Sequence, residues 1–508
     1  MSLIGLDVGT TGCKVVAFTE EGDELARAYR EYPLQHPKPG WSELSADTIW
    51  QNTQDVLQSV GAVLGNDPPV ALSVSCQGEG VTPIDRNGKT LNDIVVTFDE
   101  RTVPQFEWWQ SRLGRKRIFQ VTGMPLHPMH TINKIMWFRE NRPDIFEAAH
   151  KFLCVEDFVL FRLSGELATD YSLAARTMAF DVREREWSDE ILSAAQVDRS
   201  LLPDVRPSGV VVGRIRSDVA RMLSLPVDMQ IATGGHDQPC GALGAGIVAG
   251  GLAMNATGTS DVICPALPEP VLTDTMLNNN YSCYPHVYPD LYCSIGFNLT
   301  GGLLMRWYRD VLCAGEVLEA KKRGCDPYDI IVDTASKHKA RPLFLPHFVG
   351  SGTPTLDPMS RGGLFNLTID VDKSELNRAV LDSTNYAMRL NIEMMEESGI
   401  TIERLRAVGG GAKSSKWLQL KADVFGKPVE SLAVSEAAAL GAALLAGKAI
   451  GTYSNFSEAV NSIVHVQRTF TPRKGETNEY EEHYQDYKRL YPAVRDLNHR
   501  FSRRMCHE

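Results

Sequence analysis

Apolar runs broken by small-residue turns predict a succession of strand–turn–strand and strand–turn–helix units. Leu3-Ile4-Gly5-Leu6-Asp7-Val8 and Val15-Val16-Ala17-Phe18 flank Gly9-Thr10-Thr11-Gly12, which predicts a β-hairpin with a turn free of bulky side chains. Behind Ser45 as cap, Ile49, Val56, Leu57, Val60 and Leu64 fall on one helical stripe. Strands are predicted over 70–75, 94–97 and 231–233, and a helix over 129–141 with Trp137 and Phe138 in the core. Ala253 to Ile263 repeats the opening pattern, with Gly258-Thr259-Ser260 at the turn. A long helix is expected from Ser374 to Ser398, stopped by Gly399. Leu405 to Val408 runs as a strand into Gly409-Gly410-Gly411, and Glu436 to Ala443 is a helix of small residues that permits close approach. The Tyr-rich tail from Asn478 reads as a surface-facing helix. Two halves, each opening with a hairpin, divide the chain at 1–246 and 247–508 in an α/β fold.

At 508 residues the chain is too long for one core. Its net charge of −11 argues against a broad nucleic-acid surface, which needs a basic patch. No apolar run approaches the roughly 20 residues of a membrane span, and Met1-Ser2 lead straight into the first strand without a signal peptide. The ten cysteines form no C-x-x-C pair, which suits a reducing, cytoplasmic setting. No H-E-x-x-H and no Cys/His cluster predicts a built-in transition metal.

The chemistry gathers at the turns. The first hairpin offers backbone N–H groups, the Thr10 and Thr11 hydroxyls and the Lys14 ammonium to an anion. Asp7 beside that cradle makes sense with a divalent cation between them; an ordinary glycine turn with a solvated Asp and Lys is equally compatible. Gln77, Glu79 and Asp99 sit at strand ends, where ligands bind in open α/β sheets, although Glu79 also fits a solvated turn and Asp99 a helix cap. Asp237 follows Gly234-Gly235-His236 at another strand end and fits either a site carboxylate or an N-cap. His236 reads as a packed or exposed loop histidine rather than a catalyst. Gly410, Gly411 and Ser414 form a strand–turn–helix seat for an anion or nucleotide. Gly88-Lys89-Thr90 fails as a P-loop because Pro83 replaces the required glycine, and Gly244-Ala245-Gly246 is not immediately preceded by a strand.

Two long stretches, Met129 to Asn141 and Gly362 to Leu367 continuing through Glu375 to Asp382, resemble the signatures of the FGGY carbohydrate kinases, in the actin/hexokinase/Hsp70 ATPase superfamily. Asn366 stands where that family usually has Gly. Within the family, Trp41-Ser42-Glu43 and 157–170 look like xylulose kinases. The resemblance implies two ribonuclease-H-like domains around a deep cleft, and transfer of the ATP γ-phosphoryl group to a small sugar. It implies Asp7 for Mg²⁺ and Asp237 as catalytic base. Thr10, Thr11, Lys14, Gly258, Thr259, Arg306, Gly410, Gly411 and Ser414 fall at ATP positions, with Arg306 where glycerol kinases carry Gln. Gln77, Gly78, Glu79, Asp99, Asp237 and Gln238 fall at sugar-facing positions. Xylulose kinases usually have Met-His where this chain has Gly78-Glu79, so the acceptor stays open between a ketopentose such as xylulose and a glycerol, gluconate or fuculose type. No nucleic-acid or membrane partner is implied, and a homodimer is compatible. An actin- or chaperone-like ATPase and a silent sugar sensor are the rival readings.

Overall fold

The computed structural model describes residues 1–65, 67–335 and 340–505. β1 (Ser2–Val8) pairs antiparallel with β2 (Gly12–Thr19), and β2 with β3 (Glu24–Glu31). α1 (Ala46–Gly61) follows, with Ser45 Oγ accepting the Thr48 N–H at 3.2 Å and the predicted stripe of Ile49, Val56, Leu57 and Val60 buried. β4 (Pro69–Cys76) lies parallel to β1, and β5 (Gln230–His236) parallel to β4. Between them, α2 (Thr131–Asn141) buries Trp137 and Phe138, and α3 (Asp237–Gly244) leaves the end of β5.

The second half repeats this order and direction. β6 (Gly251–Thr257) and β7 (Asp261–Leu267) form the second hairpin, and β8 (Gly296–Asn298) pairs antiparallel with β7. After α4 (Gly302–Leu312) and α5 (Lys373–Glu397), β9 (Ile402–Gly409) lies parallel to β6. α6 (Ser415–Phe425) leads to β10 (Val429–Leu432), parallel to β9. The order β3-β2-β1-β4-β5 thus recurs as β8-β7-β6-β9-β10. The duplication read from the two hairpins is an architectural one.

The halves meet through two small-residue helices, α3 and α7 (Ala437–Ala449). A Cβ on Gly244 would lie 1.9 Å from the Ala437 carbonyl oxygen, and one on Gly441 1.9 Å from that of Cys240. Only glycine lets these backbones touch, so a helix of the second half seats directly on the first half.

Three details go beyond the sequence pattern. α5 starts at a capping box, the Asp372 side chain accepting the Glu375 N–H at 3.0 Å. Asn366 adopts φ +60°, a left-handed conformation that Asn tolerates, and its Nδ2 donates to the Arg341 carbonyl at 3.0 Å. The last helix, α8 (Lys474–Met505), is not simply surface-facing: Tyr480, Tyr484 and Tyr487 are buried, with rings against Tyr386 of α5. Their helical spacing makes an apolar stripe with polar tips. Nine cysteines are described and all are free, eight of them buried. Among the described residues, no helix is long and apolar enough to cross a membrane.

Candidate active site

The first hairpin closes through the Gly9 N–H, which donates to the Gly12 carbonyl at 3.0 Å. Thr10 is half-buried and Thr11 exposed at its tip. Asp7 accepts the Ser75 hydroxyl at 2.9 Å, and burial pushes its carboxyl up despite that bond and Lys14. The fold therefore disfavours this lone negative charge, which a bound cation relieves. Lys14 Nζ meets Glu436 Oε2 at 2.6 Å, a bridge from the hairpin to the start of α7. Gln77 braces the hairpin from the end of β4. Its Oε1 accepts from Thr10 Oγ1 at 3.3 Å and its Nε2 donates to the Gly9 carbonyl at 3.4 Å.

Glu79 follows at φ +58°, fully buried, with its carboxylate against the Arg176 guanidinium and the Thr97 hydroxyl, which donates at 3.0 Å. Burial alone would raise this carboxyl. Arg176, His236, His130 and Lys134 outweigh it and bring it down to about 2. Lys134 of α2 donates to the Glu79 carbonyl at 2.7 Å, which ties a residue of the first signature to the pocket wall. Asp99 is buried and engaged on both oxygens: Arg101 Nε donates to Oδ1 and Arg101 Nη2 to Oδ2, each at 2.8 Å, and the Ser42 N–H donates to Oδ2 at 2.6 Å. It caps no helix, since the next one is flanked by Thr102. Its carboxylate fixes the loop wall.

Asp237 is the first residue of α3, with His236 in the cap position. Its side chain is 32% exposed, yet its Oδ1 is buried without a well-aligned hydrogen bond, as is Oε1 of Gln238. Burial, then Asp7, then Glu79 raise the Asp237 carboxyl to about 7, opposed by Gln238. The three carboxylates thus share one electrostatic neighbourhood. Helix N-terminal N–H groups favour the anion at this position, and its partly exposed carboxylate is open to a hydroxyl-bearing ligand.

In the second half, Gly258, Thr259, Arg306, Gly410, Gly411 and Ser414 line one cleft of about 540 Å³. The second hairpin is fastened to the start of α4, the Gly302 N–H donating to the Gly258 carbonyl at 2.8 Å and the Leu303 N–H to that of Thr259 at 3.0 Å. Beneath it, buried Lys421 donates to Asn255 Oδ1 and Thr257 Oγ1, each at 2.6 Å, and meets Asp261 Oδ2 at 3.3 Å. Ser414 caps α6 by accepting the Trp417 N–H. An exposed hairpin tip, a helix start and a glycine turn converge there, as a nucleotide seat requires. Among the described residues, no group of three or more His, Cys, Asp or Glu side chains could hold a metal.

Sequence reasoning missed Arg176, Tyr284 and Glu436 as parts of these sites. Arg176 and Tyr284 carry no local signal, since only the tertiary fold brings them to Glu79 and His236. Glu436 stood in view at the head of the small-residue helix, but its partner Lys14 is 422 residues away.

Models of the FGGY family of carbohydrate kinases match residues 2–244 as the N-terminal domain and 253–450 as the C-terminal domain. The xylulose kinase of Bacillus subtilis (strain 168) is 28% identical over 499 residues, covering 98% of each chain. The autoinducer-2 kinase of Klebsiella pneumoniae is 30% identical over 509 residues, covering 96% of this chain and 93% of the relative. A ligand-bound xylulose kinase from Lactobacillus acidophilus superposes with a TM-score of 0.90 at 25% identity, over 98% of this chain and 99% of that one. With family models covering most of its length and the paired hairpins of a two-domain kinase fold, the chain belongs to the FGGY family of carbohydrate kinases.

Proposed function

We propose that this carbohydrate kinase transfers the γ-phosphoryl group of ATP to a hydroxyl of a small neutral sugar, a ketopentose such as xylulose, with Asp237 as the base. The observation that carries the assignment is the partly exposed Asp237 carboxylate at the start of α3, beside Asp7 and Glu79. Relatives named xylulose kinase support a ketopentose. The pocket itself supports a neutral acceptor: the guanidinium of Arg176 is already balanced by Glu79, leaving two further carboxylates, Asp7 and Asp237, nearby. A sugar acid would add another negative charge there.

Gly78, Glu79, Asp237 and Gln238 face the acceptor, with Gln77 and Asp99 holding the walls. Thr10, Thr11, Lys14, Gly258 and Thr259 hold the phosphates, and Gly410, Gly411, Ser414 and Arg306 the nucleoside. Asp7 would hold Mg²⁺, which when bound offsets phosphate charge. An alcohol is far too weak an acid to lose its proton in advance to a carboxylate, even one raised to about 7. Asp237 therefore aims the hydroxyl and accepts its proton late, in a loose transition state. Lys14 exchanges Glu436 for phosphate, and positioning supplies most of the rate. The boundary between the halves is placed at 246/247, just after α3.

A coupled ADP-release assay over neutral ketoses, polyols and sugar acids tests the substrate class. Turnover with a ketopentose above all sugar acids is expected. A sugar acid as the best acceptor overturns the neutral-pocket reading.

A further inference from the structure

His236 touches two partners that belong to different halves of the molecule. Its Nε2 lies 3.2 Å from Oδ1 of Asp237. Its Nδ1 lies 2.9 Å from the hydroxyl of Tyr284, carried by a strand of the second half. The main chain is fixed as well, the His236 backbone N–H donating to Ser172 Oγ at 2.9 Å, and the Tyr284 and His236 ring centroids lie 5.9 Å apart. A Cβ on Gly78 would come within 3.1 Å of His236 Cδ2 and Nε2. A side chain at position 78 would therefore press on the imidazole.

We propose that His236 is a positioning residue for the base, and that Tyr284 sets its orientation from the other domain, so that Asp237 is aimed only when the two halves are docked. The proposal rests on Asp237 being the base. The protons follow from the partners. Burial, reinforced by Arg176, pushes His236 down to about 3, so the ring is neutral and carries one N–H. An ionised Asp237 only accepts, which places that hydrogen on Nε2 and leaves Nδ1 to accept from the Tyr284 hydroxyl. The order is then Tyr284 O–H to His236 Nδ1, and His236 Nε2–H toward Asp237 Oδ1. The imidazole faces Oδ1 at 3.2 Å, and the second oxygen takes the acceptor proton. The 3.2 Å contact is loosely aligned here, as catalytic hydrogen bonds often are before the substrate is bound. No proton passes through the ring.

The test uses the full-length enzyme with Mg-ATP and its best acceptor, measuring kcat, both KM values and thermal stability. Tyr284→Phe keeps the ring and loses only the hydroxyl. It is expected to lower kcat by about tenfold, with both KM values and the melting temperature nearly unchanged. His236→Leu is expected to lower kcat further, and His236→Gln, whose amide can donate where Nε2–H did, to recover part of that loss. In the His236→Leu background, Tyr284→Phe is expected to have no added effect, because its influence runs through the ring. Multiplicative losses, changes confined to KM or stability, or no gain from Gln over Leu overturn the proposal. Asp237→Asn, run alongside, separates the two readings. An inactive Asp237→Asn with unaffected Tyr284 and His236 variants refutes only the positioning role, whereas an active Asp237→Asn refutes the base assignment beneath it.

Discussion

Replacing Arg176 with methionine tests the electrostatic centre of the acceptor pocket. Glu79 and Arg176 are 2% and 7% exposed. Burial raises the Glu79 carboxyl, yet its charged neighbours bring it from 4.5 to about 2. His236 and His130 are themselves pushed down by burial, to about 3 and about 4, so at neutral pH the attraction comes from Arg176 and Lys134. The folded value lies below the unfolded one. The pairing therefore stabilises the protein above about pH 4.5 and is lost as pH falls toward 2, a contribution of about 3 kcal/mol. Without Arg176, burial dominates and the sign reverses: Glu79 is tolerated when protonated and costs stability as pH rises. Urea unfolding should show the variant about 3–5 kcal/mol less stable at pH 7, with the gap narrowing as pH falls below about 4.5 and closing only near pH 2. Adding Glu79→Gln removes the stranded charge and should recover most of that gap. A gap independent of pH, or a double variant no better than Arg176→Met alone, would refute the reasoning.

At the helix crossing, Gly441→Val drives a side chain into the Cys240 carbonyl and should cost about 3 kcal/mol or more, read as a lowered melting temperature; an unchanged melt contradicts backbone contact between α3 and α7. Asp237 must be ionised to accept a proton, so kcat/KM for the acceptor should fall as pH drops through about 7, and the midpoint should move lower as a divalent cation offsets Asp7. A flat profile between pH 5.5 and 8 contradicts this. Glu436→Gln frees Lys14 from its partner across the domains and should tighten ATP binding, measured by calorimetry; weaker binding would show that the bridge shapes the phosphate seat instead.

Much of this architecture was legible because its signals are local. Apolar runs broken by Gly and Thr mark both hairpins, and Ser45 and Gly399 mark helix ends. The small residues around Gly244 and Gly441 announce a close crossing, though not its partner. What stayed hidden depends on residues far apart in the chain. Arg176 reaches Glu79 across 97 residues, and Tyr284 reaches His236 across 48. Asp99 reads locally as a helix cap, because nothing local shows that Arg101 folds back onto it. Tyr480, Tyr484 and Tyr487 read as polar while their rings formed a core stripe.

The most direct test is single-turnover transfer of the ATP γ-phosphoryl group to the best acceptor by wild type and Asp237→Asn, each preloaded with Mg-ATP. Wild type should phosphorylate the sugar in one fast phase that depends on acceptor. Asp237→Asn should bind the nucleotide as tightly and transfer at least about 10²-fold more slowly. Equal transfer rates in the two proteins would contradict a base at the start of α3.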